Sequence, residues 1–405
     1  MKQGWEIKKL GEVCEIKPPK RLAKGKLSEN DLVTFFPMKD LKQFNHYITP
    51  IKTKYLKDVY GGYVYFENND VLLAKITPCF ENGKLGIAKD LKNGIGFGSS
   101  EYMVFRPKVG IFSEYIYYFL SLENIRREGK ERMTGAVGHK RIPVDYLSNQ
   151  NLITPPLPEQ KRIVAILDKA FAAIVKAKTN AEQNLKNAKE LFESYLQGVF
   201  ENKGEGWKEK KWGAVCHFVR GPFGRSLKKS IFVEDGYVVY EQKHAIHNHF
   251  NELRYFIDEN KFNEMKRFEV KPGDIIMSCS GVTLGRVAVI PENIKKGIIN
   301  QALLKLTPNK NISVHFLKHW LRSKIFQNII FKHSGGAAIP NVPGVKILKE
   351  IIIPLPNIKE QDKMVRNIEL LLAETKKLET IYQQKIDDLE ELKKSILQKA
   401  FNGEL

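Results

Sequence analysis

The sequence contains itself twice. Gly4-Trp5-Glu6-Ile7-Lys8-Lys9-Leu10-Gly11-Glu12-Val13-Cys14 returns as Gly206-Trp207-Lys208-Glu209-Lys210-Lys211-Trp212-Gly213-Ala214-Val215-Cys216, with seven of eleven positions identical at an offset of 202. The correspondence continues in order through Pro107 with Pro308, Gly135 with Gly335, Pro143 with Pro343 and Glu159-Gln160 with Glu360-Gln361. It ends on Ser194, Leu196, Gln197 and Phe200 matched by Ser395, Leu397, Gln398 and Phe401. Chance can match one end of two segments, but not start, middle and end in the same order. The 405 residues are therefore two copies of about 202 each, and the fold of one copy constrains the other.

Each copy holds two kinds of sequence. The first part of copy one has short β-type runs, Tyr63-Val64-Tyr65-Phe66 and Asp70-Val71-Leu72-Leu73-Ala74, between glycine, proline and asparagine turns, with a short helix expected from Glu114 to Leu122. Copy two offers Asp274-Ile275-Ile276-Met277 as a strand and Val314 to Ile330 as helix. The period then changes. Pro155-Pro156-Leu157-Pro158 stops the preceding chain, and Leu167, Phe171, Ile174, Lys178, Ala181, Leu185, Ala188, Phe192, Tyr195 and Val199 follow at alternating spacings of four and three, a heptad seam with one polar break. Copy two repeats the seam with Ile368, Leu372, Thr375, Glu379, Tyr382, Ile386, Leu389, Lys393, Ile396 and Ala400. Lys178 and Glu379 occupy equivalent polar positions of opposite charge.

The expected fold class is α+β (mixed), with globular domains at residues 1–157 and 204–356 and helical regions at 158–203 and 357–405. If the copies are equivalent, the first helix runs from the first domain to the second and the second helix runs back. Connectivity thus makes the helices an antiparallel coiled coil about an approximate twofold axis, a rod of roughly 60 Å for about 40 residues.

Lysine and arginine outnumber aspartate and glutamate by 66 to 46, for a formal charge of +20, which points to a polyanionic partner. No run approaches the roughly 18 apolar residues of a membrane span, so a cytoplasmic protein without a membrane partner is expected. The four cysteines lie far apart without CxxC spacing, so neither zinc site nor disulfide framework is suggested. Two basic domains on a rod suit half-sites about one turn of double-stranded DNA apart, roughly 34 to 36 Å. Because the domains differ outside their framework, the target should be bipartite and asymmetric.

Phosphate-facing candidates follow each copy's start: Lys17, Lys20, Arg21, Lys24 and Lys26, then Arg220, Arg225, Lys228 and Lys229. A second candidate is the loop Thr134–Arg141, with His139, Lys140 and Arg141, and its counterpart Ser334–Asn341, with Asn341. A solvated basic face and a framework turn are the plain readings of these segments. Catalytic signatures are missing: Gly281 to Arg286 is one residue short of a phosphate-binding loop, and Asn341-Val342-Pro343-Gly344 fails as an adenine-methyltransferase motif. His315 and His319 face one side of a helix, but their counterparts are Tyr115 and Phe119, which favours core; His244, His247 and His249 lack an acidic or cysteine partner at convincing spacing. No catalytic residue and no metal site are expected.

The duplicated set resembles the specificity subunit of type I restriction-modification enzymes. Pro155-Pro156-Leu157-Pro158-Glu159-Gln160-Lys161-Arg162-Ile163, followed by a long helix, is similar to that family's junction between a target-recognition domain and a helical region. The opening Gly-Trp and the Asp70 and Asp274 strands fit as well. The resemblance implies a non-catalytic subunit that names the DNA sequence, with S-adenosylmethionine, ATP and Mg belonging to partner subunits. It implies two methylase subunits docked on the helices, and restriction/translocase subunits beyond them. The residues expected in the helix pair and its docking faces are Ile163, Ile166, Leu167, Phe171, Ile174, Leu185, Phe192, Ile368, Leu372, Ile386, Leu389 and Ile396, with Ile163, Ile166 and Val175 as apolar surface beyond the seam. The second junction departs by three extra residues between prolines and Glu360-Gln361. The rival readings are a coiled-coil scaffold with incidental basic charge, and a recognition subunit of a methylation-only complex.

Overall fold

The structure is a computed structural model describing residues 4–44, 46–49, 52–223, 226–281, 283–333 and 340–405. The chain forms two compact units, Met1–Glu182 with Gln384–Leu405, and Gln183–Gln383, so each unit takes part of both long helices.

In the first unit an antiparallel sheet has the order Cys14–Ile16, Tyr102–Pro107, Val71–Ala74, Leu85–Ile87. A second sheet has the order Lys52–Tyr55, Leu32–Phe36, Ile95–Gly98, Val64–Glu67, with its two middle strands parallel. Glu6–Lys9 pairs with Asn151–Thr154, bringing the start of the copy to the residues just before its long helix. The second unit repeats the plan. Cys216–Arg220, Leu303–Pro308, Ile275–Ser278 and Val287–Val289 form the first sheet in the same order, and Lys208–Lys211 pairs with Ile352–Leu355. Its other sheet has three strands, Phe256–Ile257, Tyr237–Tyr240 and Gly297–Ile299, and keeps the parallel pair.

The helix expected from Glu114 to Leu122 runs Ser113–Leu120 and is followed by another, Glu123–Glu131, whereas the one expected from Val314 to Ile330 is broken into Val314–Arg322 and Lys324–His333. At that break Ser323, 1% exposed, turns its hydroxyl onto the Trp320 carbonyl, a bond that competes with helix continuation. The first helix of each pair lies on the first sheet. The Tyr115 and Phe119 rings lie tilted against Phe401 with centroids 4.8 and 5.6 Å from it, and Trp320 meets Trp212 at 5.7 Å in the second unit.

The long helices run Leu157–Glu201 and Ile358–Phe401. Within the first unit Leu167 shares a core with Leu397 and Ala400, the Lys393 ammonium lies over the Phe171 ring, and Lys178 pairs with Glu390. Numbers fall along one helix as they rise along the other, so the pair is antiparallel there. This register gives Lys178 a different partner from Glu379, the residue at its equivalent position in the sequence. Ile163 also departs from expectation. It is 0% exposed inside the first unit's core and offers no surface to a partner, whereas Val175 is 57% exposed and Ile166 is partly exposed. Ile174, Phe192, Ile368 and Ile386 are buried, and Phe171, Leu185, Leu372, Leu389 and Ile396 half-buried.

The duplicated Glu-Gln pair has a physical reason. Gln160, 0% exposed, accepts from the Phe112 N–H at 2.9 Å and donates to the Gly110 and Pro155 carbonyls at 3.1 and 2.8 Å. Gln361, also 0% exposed, accepts from the Ser313 N–H at 2.7 Å and donates to the Asn311 and Pro356 carbonyls at 3.2 and 2.9 Å. One amide thus joins the long helix to the loop before the sheet-covering helix, in both copies. A carboxylate cannot donate and a methyl can do neither. Gln160→Ala is expected to destabilise the chain by about 1–3 kcal/mol, the usual cost of a buried polar group left unsatisfied, with urea unfolding as the readout. Loss below the scatter of surface substitutions would remove the clamp from the account.

Candidate nucleic-acid interface

The two copies build one backbone frame beside the end of the central strand of their first sheet. In the first unit the Ile142 N–H donates to the Lys75 carbonyl at 2.9 Å and the Thr77 N–H to the Lys140 carbonyl at 2.9 Å. In the second unit the Val342 N–H donates to the Cys279 carbonyl at 2.9 Å and the Gly281 N–H to the Pro340 carbonyl at 3.0 Å. The bridges Ile76 with Arg141 and Ser280 with Asn341 complete the match. On this shared frame the side chains differ: Lys75, Lys140 and Arg141 in one unit stand where Cys279, Pro340 and Asn341 stand in the other.

In the first unit the frame gathers positive charge. Arg141 holds Glu101 through two hydrogen bonds of 2.9 and 2.7 Å, which keep the Glu101 carboxyl below its ordinary range. The Lys75 ammonium donates to the Ser100 carbonyl at 2.9 Å, and its pKa is lowered, first by burial and also by the neighbouring Lys17 and Arg141 charges. His139 lies close enough to add to the pull on Glu101. Gly135 and Gly138, at φ +122° and +83°, let the loop turn where a side chain would be strained. Lys17, whose N–H donates to the Val104 carbonyl at 2.9 Å, therefore meets the His139–Arg141 loop through Lys75, a residue the sequence reading missed.

The other basic candidates do not converge there. Lys20 caps the Tyr60 and Gly61 carbonyls at 2.9 and 3.1 Å, Lys24 pairs with Glu29 at 2.9 Å, and Lys26 pairs with Glu67 at 2.7 Å. Lys20 and Lys24 also lie over the Tyr60 ring, 5.0 and 4.6 Å from its centroid. These three lysines are engaged within the fold. Lys17, Arg21 and Lys140 are exposed and have no carboxylate partner among the described residues.

In the second unit Arg220 ends the strand Cys216–Arg220 beside Cys279, whose thiol burial pushes up to about 12 while the Arg220 charge pulls it back. Lys228 and Lys229 are exposed in the segment that follows, and Asn341 is exposed on its bridge to Ser280. Arg225 lies outside the described residues, as do Gly335 and Gly336 of the second loop. Gln242 donates to the Ser278 hydroxyl at 2.7 Å and the Ser280 carbonyl at 2.5 Å, bracing the frame from a helix that the sequence did not single out.

Two of the candidate histidines are buried. His319 is 0% exposed with Glu369 3.5 Å away, and burial depresses its pKa to about 3; His244, 1% exposed, accepts the Glu241 N–H at 2.8 Å. Among the described residues no group of three histidine, cysteine or acidic side chains is placed to hold a metal, and no helix is long and apolar enough to cross a membrane.

The profile of the type I restriction modification DNA specificity domain matches residues 2–185 and again 204–388. The specificity subunit of the type I restriction enzyme EcoAI from Escherichia coli is 32% identical over 218 residues, which are 53% of this chain and 36% of that protein. The chain thus spans little more than a third of the length of the first curated relatives it matches. The HsdS subunit from Thermoanaerobacter tengcongensis has a TM-score of 0.72 at 19% identity, covering 100% of this chain and 98% of that one. A chain solved to explain complex assembly and conformational transition of the type I R-M system gives 0.78 at 19% identity, over 100% and 99%. These two likenesses speak for the fold, and the twice-matched profile for descent: the chain belongs to the family of the type I restriction modification DNA specificity domain, with two copies of that domain in tandem.

Proposed function

We propose that this chain is the sequence-reading, non-catalytic subunit of a type I restriction-modification complex, binding double-stranded DNA through its two recognition domains. One observation carries the reading: an identical backbone frame presents Lys75, Lys140 and Arg141 in one copy and Cys279, Pro340 and Asn341 in the other. A frame kept while its side chains diverge is what two readers of different half-targets require, so the target is bipartite and asymmetric. The unneutralised cations Lys17, Arg21, Lys140, Lys228 and Lys229 supply phosphate contacts, and the net charge of +20 agrees with a polyanion. Two methylase subunits dock on the long helices, and restriction subunits join through them. Methyl transfer from S-adenosylmethionine and ATP-driven cleavage with Mg belong to those partners.

Methylome sequencing of cells expressing the chain with its neighbouring methylase tests this. The expected result is a two-part adenine-methylated motif that vanishes when this gene is deleted. Exchange of residues 204–356 for those of a relative should change one part and leave the other. A motif indifferent to that exchange, or the absence of any motif, overturns the proposal.

A further inference from the structure

Phe223 is the outlying residue of the second reader. It is 71% exposed, and among the described residues no phenylalanine or tyrosine is more so. A single exposed apolar side chain is ordinary on a protein surface, so exposure alone carries nothing. What sets Phe223 apart is the stem that holds it out. Gly221 donates to the Leu303 carbonyl at 2.9 Å, and a β-carbon there would sit 1.9 Å from the Asn300 carbonyl oxygen, so the backbone is pressed against the sheet. Pro222 is buried, with a fixed φ, and the Ser226 hydroxyl donates to the Phe223 carbonyl at 3.0 Å. This stem carries the ring outside the core.

Beside the ring is a cation without a counter-charge among the described residues. The Arg220 guanidinium lies 5.9 Å from the Phe223 ring centroid, and its Nε is buried with no hydrogen-bond partner among the described residues. Arg106, Arg141 and Arg162, by contrast, each hold a carboxylate at 2.7 Å. Lys228 and Lys229 follow within a few residues, also unpaired among the described residues. An exposed aromatic ring with an unneutralised guanidinium beside it, next to the reading frame and followed in sequence by two exposed lysines, matches what a nucleic acid accepts: phosphates for the cations and a base stack for the ring.

We infer that Phe223 is a base-contacting residue of the second reader, an apolar wedge that enters the duplex at a base step, with Arg220 as its positioning residue. The inference rests on the DNA-reading proposal above and goes beyond it, because phosphate-facing cations require no base contact. It also assigns an asymmetry to the two readers: the position equivalent to Arg220 in the first copy is Pro18, and no aromatic follows there.

The test uses the full chain and a pool of random-sequence duplexes, selected by binding and sequenced, followed by permanganate probing of the selected motif. Wild type should yield a two-part motif with a thymine made reactive by unstacking in one part. Phe223→Ala should erase that reactivity, flatten the adjoining base preference, leave the other part intact, and weaken binding about 10- to 100-fold. Its salt dependence should not change, since the ring neutralises no phosphate. Phe223→Leu should keep part of the reactivity, because a wedge needs bulk more than aromaticity. Arg220→Lys should keep the charge but blur the reactive position. At 71% exposure Phe223 can be replaced without unfolding the chain, and an unchanged thermal midpoint verifies this. If wild type selects a motif and Phe223→Ala selects the same motif with the same reactivity, the wedge is overturned while the DNA reading stands. If wild type selects no motif, the DNA reading itself has failed.

Discussion

Replacing Arg106 with methionine is expected to cost about 3–5 kcal/mol at neutral pH, the range for stranding one member of a buried ion pair. Asp70, whose side chain is 2% exposed, receives Arg106 through Nε at 2.9 Å and a terminal nitrogen at 2.7 Å, and accepts the Glu67 N–H at 2.7 Å. Methionine preserves most of the volume, so the loss is electrostatic. The second copy makes the point by contrast: Asp274 keeps the equivalent backbone bond, from the Lys271 N–H at 2.8 Å, but takes a neutral donor, the Thr307 hydroxyl at 2.5 Å.

The pH dependence gives this prediction a sign. Burial already holds the Asp70 carboxyl above its ordinary pKa, against the downward pull of Arg106. Removing Arg106 lifts it further. A carboxyl whose folded pKa exceeds its unfolded one contributes stability that is full below the unfolded value and is lost as pH rises through the folded value. The penalty of Arg106→Met should therefore be smaller at about pH 5 than at about pH 8 in paired urea titrations. A gap of the same size at both pH values would mean that lost packing, not a stranded charge, sets the cost.

The duplication, the strand at Val71–Ala74 and both long helices are legible in the sequence because each is local: a repeated string, an apolar run, a heptad period. What escapes is whatever needs a partner far along the chain. Lys26 and Arg141 read as free cations, yet Glu67 and Glu101, about 40 residues away, neutralise them. Lys75 goes unnoticed because its company, Lys17 and Arg141, comes from both ends of the domain. Ile163 looks like docking surface on a helical wheel, and only the sheet-covering helix and the end of the second long helix reveal it as core. Nothing in the sequence marks Phe223 as exposed; the stem at Gly221 and Pro222 carries it outside. Gln160 and Gln361 are the opposite case: the repeat marks them in the sequence, and geometry then supplies the reason.

That sorting of cations leads to a quantitative expectation for the first reader. Lys17→Ala, Arg21→Ala and Lys140→Ala combined should remove three phosphate contacts, lowering the slope of log affinity against log salt by about 2.7, at roughly 0.9 per contact. Between about 50 and 200 mM salt the wild-type chain should thus lose about 40-fold more affinity for a mixed-sequence duplex than the triple variant loses. Lys24→Ala with Lys26→Ala is the control. These two follow Lys17 and Arg21 in the same stretch of sequence, and a reading by sequence proximity would rank them equally. Their charges, however, are already spent on Glu29 and Glu67, at 2.9 and 2.7 Å. Freeing two carboxylates weakens binding slightly, but the slope should stay near wild type. Equal slopes for the two variant sets would show that proximity in sequence, not freedom from a carboxylate partner, defines the cationic face. A wild-type affinity that ignores salt would remove DNA from the account and leave the long helices as the working part of the molecule.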